Sequence, residues 1–217
     1  MIRLLNDNFS IMKSSARISM LLLTVACFAV LSSCGGDDEK PPNKITVDGN
    51  SIKPAHAYML STFGEVEGEE VSEHIIILTT DGLTYDVDED EMNGSGDLVL
   101  MIVGSQGFTL KKGNYEFGDD DFEDLYFLRV GLGVEDGLIT EAVYDGTDGN
   151  LQVKSISETK ITLKFDFSEY DFETHDDFGT AEESLKGYYS GAIEITEQEE
   201  PGKIAQKHGV MSRLLKR

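Results

Sequence analysis

The stretch Lys160-Ile161-Thr162-Leu163-Lys164-Phe165-Asp166-Phe167-Ser168 decides the fold class. Its apolar residues recur at every second position, and successive side chains of an extended strand point to opposite faces. Ile161, Leu163, Phe165 and Phe167 therefore share a face that seeks a core, while Thr162, Lys164, Asp166 and Ser168 meet water. Just upstream, Leu151 and Val153 alternate in the same way. Ser157-Glu158-Thr159 supplies a short turn between them, so residues 150–167 read as an antiparallel hairpin.

Working outward, further strands are expected at 45–47, 55–60, 125–130, 138–144 and 187–196. Residues 74–80 and 98–103 are apolar on both faces and rich in Ile and Val, which predicts central, doubly covered strands. The breaks between runs are filled with Gly, Asp and Asn, and no long segment has a helical period. Residues 44–200 are therefore expected to form an all-β domain, an antiparallel β-sandwich with a barrel as the alternative.

The N-terminus reads as an export signal. Lys13 and Arg17 precede an apolar run from Ile18 to Leu31, about fourteen residues where a membrane-spanning helix needs roughly 20. Met12-Lys13 opens like an ordinary signal, so translation is expected to start at Met12. Leu31-Ser32-Ser33-Cys34 has the form of a bacterial lipobox, making residues 1–33 a signal peptide and Cys34 the lipidated first residue of the mature chain. Cys27 leaves with the signal, so no disulfide is expected. Acyl chains of the palmitate type partition into membrane at about 0.8 kcal/mol per buried methylene, so two or three hold the protein without a spanning helix. Residues 34–43 form a tether without apolar side chains after Cys34. Its acidic Asp37, Asp38 and Glu39 resemble the lipoprotein export signal of Bacteroidota, which implies the outer membrane and its outer face.

The whole chain carries −23; residues 1–33 contribute +2 and residues 201–217 contribute +5, leaving −30 on 34–200. So acidic a body repels nucleic acid, whose phosphates are bound by clustered Lys and Arg. The tail 201–217 has the opposite charge and is expected to be disordered or a short amphipathic helix, with Ile204, His208, Met211 and Leu215 at four-, three- and four-residue steps.

Together with the lipobox, a first strand ending in Asp48-Gly49, a middle Leu110-Lys111-Lys112-Gly113-Asn114-Tyr115 and a closing Gly187-Tyr188-Tyr189-Ser190-Gly191 resemble small Bacteroidota surface lipoproteins of unknown function. The resemblance implies an envelope location and brings no shared activity with it.

For chemistry, Asp86, Asp88 and Asp90 alternate as calcium ligands do, and calcium is the cofactor they permit. The spacing departs from an EF-hand, with Glu91 at the sixth position and Asp97 at the twelfth. Residues 118–124 and 171–177 are two more acidic segments, read as loops. The histidines of the mature chain, His56, His74, His175 and His208, lack metal-ligand spacing, and no serine has a nucleophile-elbow context. A glycosidase would need only two carboxylates at the right separation, which a sequence does not display. The expectation is a non-catalytic protein that captures a glycan, with Tyr115, Tyr126, Tyr144, Tyr170, Tyr188 and Tyr189 as stacking platforms. The alternative is an adhesive or accessory subunit that binds another envelope protein.

Overall fold

The computed structural model describes residues 43–118 and 124–198, except 67, 88 and 136. The assignments at Cys34, Asp37, Asp38 and Glu39, the signal peptide and the basic tail lie outside the described residues, as do Asp88 and most of the acidic segment 118–124.

The described chain is all β. Its strands are β1 (Lys44–Val47), β2 (Asn50–Ile52), β3 (His56–Val66), β4 (Glu69–Thr79), β5 (Leu83–Asp86), β6 (Glu91–Gln106), β7 (Gly113–Glu116), β8 (Leu125–Glu135), β9 (Leu138–Ser157), β10 (Lys160–Thr174), β11 (Phe178–Ala181), β12 (Leu185–Ala192) and β13 (Glu194–Gln198). The main ladder runs β13-β3-β4-β6-β8-β9-β10-β12-β1-β2, with β5, β7 and β11 pairing off it onto β6, β9 and β10. The pairings between these strands are antiparallel except β13 on β3, and an isolated parallel bridge joins Phe117 to Leu125.

The expected hairpin is the join of β9 and β10, with Ser157 opposite Lys160 and Asn150 opposite Asp166. Ser157 closes the turn, its hydroxyl accepting from the Lys160 amide at 3.2 Å. The alternating residues Ile161, Leu163, Phe165 and Phe167 are all fully buried. They lie in one core with Ile45, Met59, Ile76, Val99, Val130, Tyr144 and Tyr189, so strands from both ends of the ladder face a shared interior.

Chain continuity forces that curvature. β12 and β13 are seven strand steps apart along the ladder, yet only Ile193 separates them in the chain. Seven steps of about 4.8 Å would set them roughly 34 Å apart in a flat sheet, whereas two Cα steps reach only about 7 Å. The sheet therefore curls back on itself around the core. It does so within one mixed ladder that stays open at β2 and β13 and is not closed into a barrel. The same corner corrects the strand expected at 187–196, which is broken by Ile193. There the backbone turns, the side chain is buried, and the amide donates to the Thr159 carbonyl at 3.1 Å.

Strands β4 and β6 are the doubly covered pair. Ile76, Leu78, Val99 and Met101 face the main core. Ile75, Ile77, Leu98 and Leu100 face a second cluster, covered by Leu83, Tyr85, Val87 and Met92 of the β5–β6 hairpin. Gly94 lets that hairpin fold flat: its φ is +92°, and a Cβ there would run into the carbonyl of Gly82.

Candidate binding groove

The outer faces of β8, β9, β10 and β11 form the floor of a groove, and the register sets its side chains in two rows. One row runs Arg129, Asp145, Asp171, Thr180, each opposite the next. The neighbouring row runs Gly131, Val143, Glu173, Phe178. Gly131 keeps its row low, since a Cβ there would stand 2.7 Å from Ile139 of the groove wall. The groove encloses about 920 Å³, a volume suited to a small ligand or a few sugar rings.

At its base the Arg129 guanidinium donates twice to Asp145, from Nε to Oδ1 at 2.7 Å and from Nη2 to Oδ2 at 2.8 Å. Both residues are buried, at 3% and 7% exposure. The guanidinium also lies 5.1 Å from the centre of the Phe127 ring. Alongside, the Thr180 hydroxyl donates to Asp171 Oδ1 at 2.7 Å. The tip of the β10–β11 hairpin is held by Thr174, whose hydroxyl accepts from the Asp177 amide at 3.0 Å. The amide of Thr174 donates to the Asp177 carbonyl at 2.8 Å. On the lips stand Leu138, 55% exposed, and Phe178, 83% exposed. They are two of the three large apolar side chains exposed among the described residues; the third is Phe108.

The acidic segment 171–177, read as a loop, is instead the end of β10 plus a tight turn, because Asp171, Phe172 and Glu173 pair with both β9 and β11. It contributes Asp171, Glu173, Asp176, Asp177 and His175 to the groove. Four of the six tyrosines expected as stacking platforms are inside the fold, and none of the six lines the groove. Tyr115, Tyr144, Tyr170 and Tyr189 are buried in the core, with burial pushing Tyr170 up to about 12. Tyr126 and Tyr188 are half-buried elsewhere.

Asp86 and Asp90 also lie away from the groove. Asp86 Oδ1 accepts from the Glu89 amide at 3.1 Å and Asp90 Oδ1 accepts from the Tyr85 hydroxyl at 2.9 Å, so both carboxylates help shape the β5–β6 turn. Among the described residues, no group of three or more His, Cys, Asp or Glu is arranged to hold a metal ion.

Arg129 and Asp145 were not singled out by sequence reasoning, although a signal exists. Arg129 is a lone charge between Leu128 and Val130 in an apolar strand, and such a charge needs a buried partner.

A second polar cluster lies inside the fold. His74, 1% exposed, is bonded at Nδ1 to the Ser61 hydroxyl at 2.8 Å and at Nε2 to the Ser72 hydroxyl at 2.9 Å. Ser72 donates its own hydrogen to the Ser105 carbonyl at 3.3 Å. It must therefore accept from Nε2–H, leaving Nδ1 to accept from Ser61. Burial lowers the His74 pKa to about 4, so the ring is neutral.

Comparison with protein-family models, curated proteins and solved structures returned no match for this chain.

Proposed function

We propose that the chain is a lipid-anchored surface protein of the bacterial outer membrane, held by Cys34, that captures glycan chains without catalysis. The observation that carries this reading is the pairing of Phe178 and Leu138, exposed on the lips of the groove, with the hydrogen-bonding rows beneath them. A pyranose presents an apolar face and a rim of hydroxyls. Phe178 offers a flat apolar partner for the face, and Glu173, Asp171 and the Thr180 hydroxyl oxygen, whose own hydrogen goes to Asp171, offer acceptors for the hydroxyls of the rim.

The reading is tested by overlaying purified full-length protein on a panel of immobilised polysaccharides. Wild type should be retained on at least one of them and Phe178→Ala released from it; retention on none would overturn the glycan assignment. The anchor has its own test, in that Cys34→Ser should abolish incorporation of labelled palmitate.

A second reading is binding of another envelope protein, favoured by β11, which among the described residues pairs with β10 on one side alone and carries the exposed Phe178. Co-purification of a single partner, lost in Phe178→Ala, would support it.

A further inference from the structure

The groove's charge specifies which sugars it takes, an inference that rests on the glycan reading above. Arg129 is the one arginine among its described lining residues, and no lysine lines it. The Arg129 guanidinium is buried and donates at two points to Asp145, so its charge is compensated at the floor of the groove. Among the described lining residues the walls then hold Asp171, Glu173, Asp176 and Asp177, and the imidazole of His175 at the hairpin tip is the one other group there able to carry positive charge.

These carboxylates are placed with respect to the apolar lip. Glu173 is the register partner of Phe178, and Asp177 is its neighbour in the chain. Directly opposed residues on antiparallel strands hold their Cβ atoms about 5 Å apart. A ring stacked on Phe178 would have Glu173 beside it across the ladder, and Asp177, which precedes Phe178 in the chain, lines the same groove. Neutral hydroxyls would satisfy such acceptors. An ammonium group would satisfy them with opposite charge, and a carboxylate or sulfate would be repelled.

We propose that the groove selects glycans whose sugars bear protonated amines, with Glu173 beside a ring stacked on Phe178 and Asp177 in the same groove, and that it excludes uronate-bearing and sulfated chains.

The test titrates the full-length protein, at low ionic strength, with three linear oligosaccharides of equal length. They are β-1,4-linked N-acetylglucosamine, the same chain after removal of its acetyl groups, and a chain of uronic acid. The de-acetylated chain should bind roughly tenfold tighter than the acetylated one, and the uronate chain should show no binding. Half-molar salt should shrink the advantage. In Glu173→Gln/Asp177→Asn the ratio of the two affinities should fall close to one; asparagine at 177 keeps an oxygen for the Phe178 amide, which now donates to Asp177 Oδ1 at 2.9 Å.

Equal affinity for the acetylated and de-acetylated chains, or binding of the uronate chain, would overturn the selectivity while leaving glycan binding intact. A ratio that survives in the double variant would also overturn it, because the amine would then be read by the acidic body at large. Failure of all three chains to bind would overturn the amine selectivity, and the glycan reading would then stand or fall on the polysaccharide overlay.

Discussion

Arg129 on β8 and Asp145 on β9 face each other across one ladder step and close a two-point ion pair beneath the groove floor. Two parallel N–H···O bonds fix the angle between guanidinium and carboxylate, and the Phe127 ring packs against the guanidinium from the next residue pair. The pair thereby sets the height and rigidity of the floor on which Asp171 and Thr180 sit.

Removing one partner should expose how much that arrangement matters. Asp145→Ala removes the carboxylate that holds the buried guanidinium at two points, which costs about 3–5 kcal/mol. Urea denaturation should show this loss. The double variant Arg129→Met/Asp145→Leu should recover most of it, since no charge is then stranded. A loss below about 1 kcal/mol in the single variant would contradict a dry pair.

The Ser61–His74–Ser72 chain predicts a specific acid sensitivity. In the unfolded chain the imidazole takes its proton near 6.5, and in the folded protein only near 4. Between those values the unfolded state binds more protons, so stability falls as pH falls; below about 4 both states are protonated and the loss stops. Over the window the loss approaches about 3 kcal/mol. Denaturation at pH 7 and pH 4.5 should show a smaller pH difference for His74→Gln than for wild type. Equal differences would place the sensitivity in other groups.

Gly187 on β12 lies opposite Phe165 on β10, and a Cβ at 187 would fall onto the Phe165 ring. Gly187→Ala should therefore cost about 1–3 kcal/mol through overpacking. Adding Phe165→Leu should return part of that cost, and the non-additivity would appear in a double-mutant cycle of unfolding midpoints. Strict additivity would mean that the two residues do not meet.

These sites also mark how far the sequence could be read. Period-two alternation identified β10 and its hairpin with β9 because one face is core and the other is water. Two-sided hydrophobicity marked β4 and β6 as doubly covered. The corner at Ile193 was not legible, since a buried isoleucine in a bend looks like any strand residue. The strand character of Asp171–Thr174 was missed because carboxylates on a solvent-facing row carry the composition of a loop. The tyrosines were misplaced for a related reason: a phenol suits a half-buried strand and a sugar platform equally well, and only the curl of the sheet put Tyr144, Tyr170 and Tyr189 inside. The groove needs four strands brought together from residues 129 to 180, a juxtaposition that no local pattern records.

The central claim is that Phe178 is a stacking surface for sugar, and calorimetric titration of the full-length protein with an oligosaccharide retained in the overlay tests it most directly. Because Phe178 is 83% exposed, Phe178→Ala should leave the unfolding midpoint unchanged. It should weaken binding roughly tenfold, the equivalent of about 1.4 kcal/mol. Unchanged affinity in a variant that folds like wild type would contradict the claim and place the ligand elsewhere on the protein.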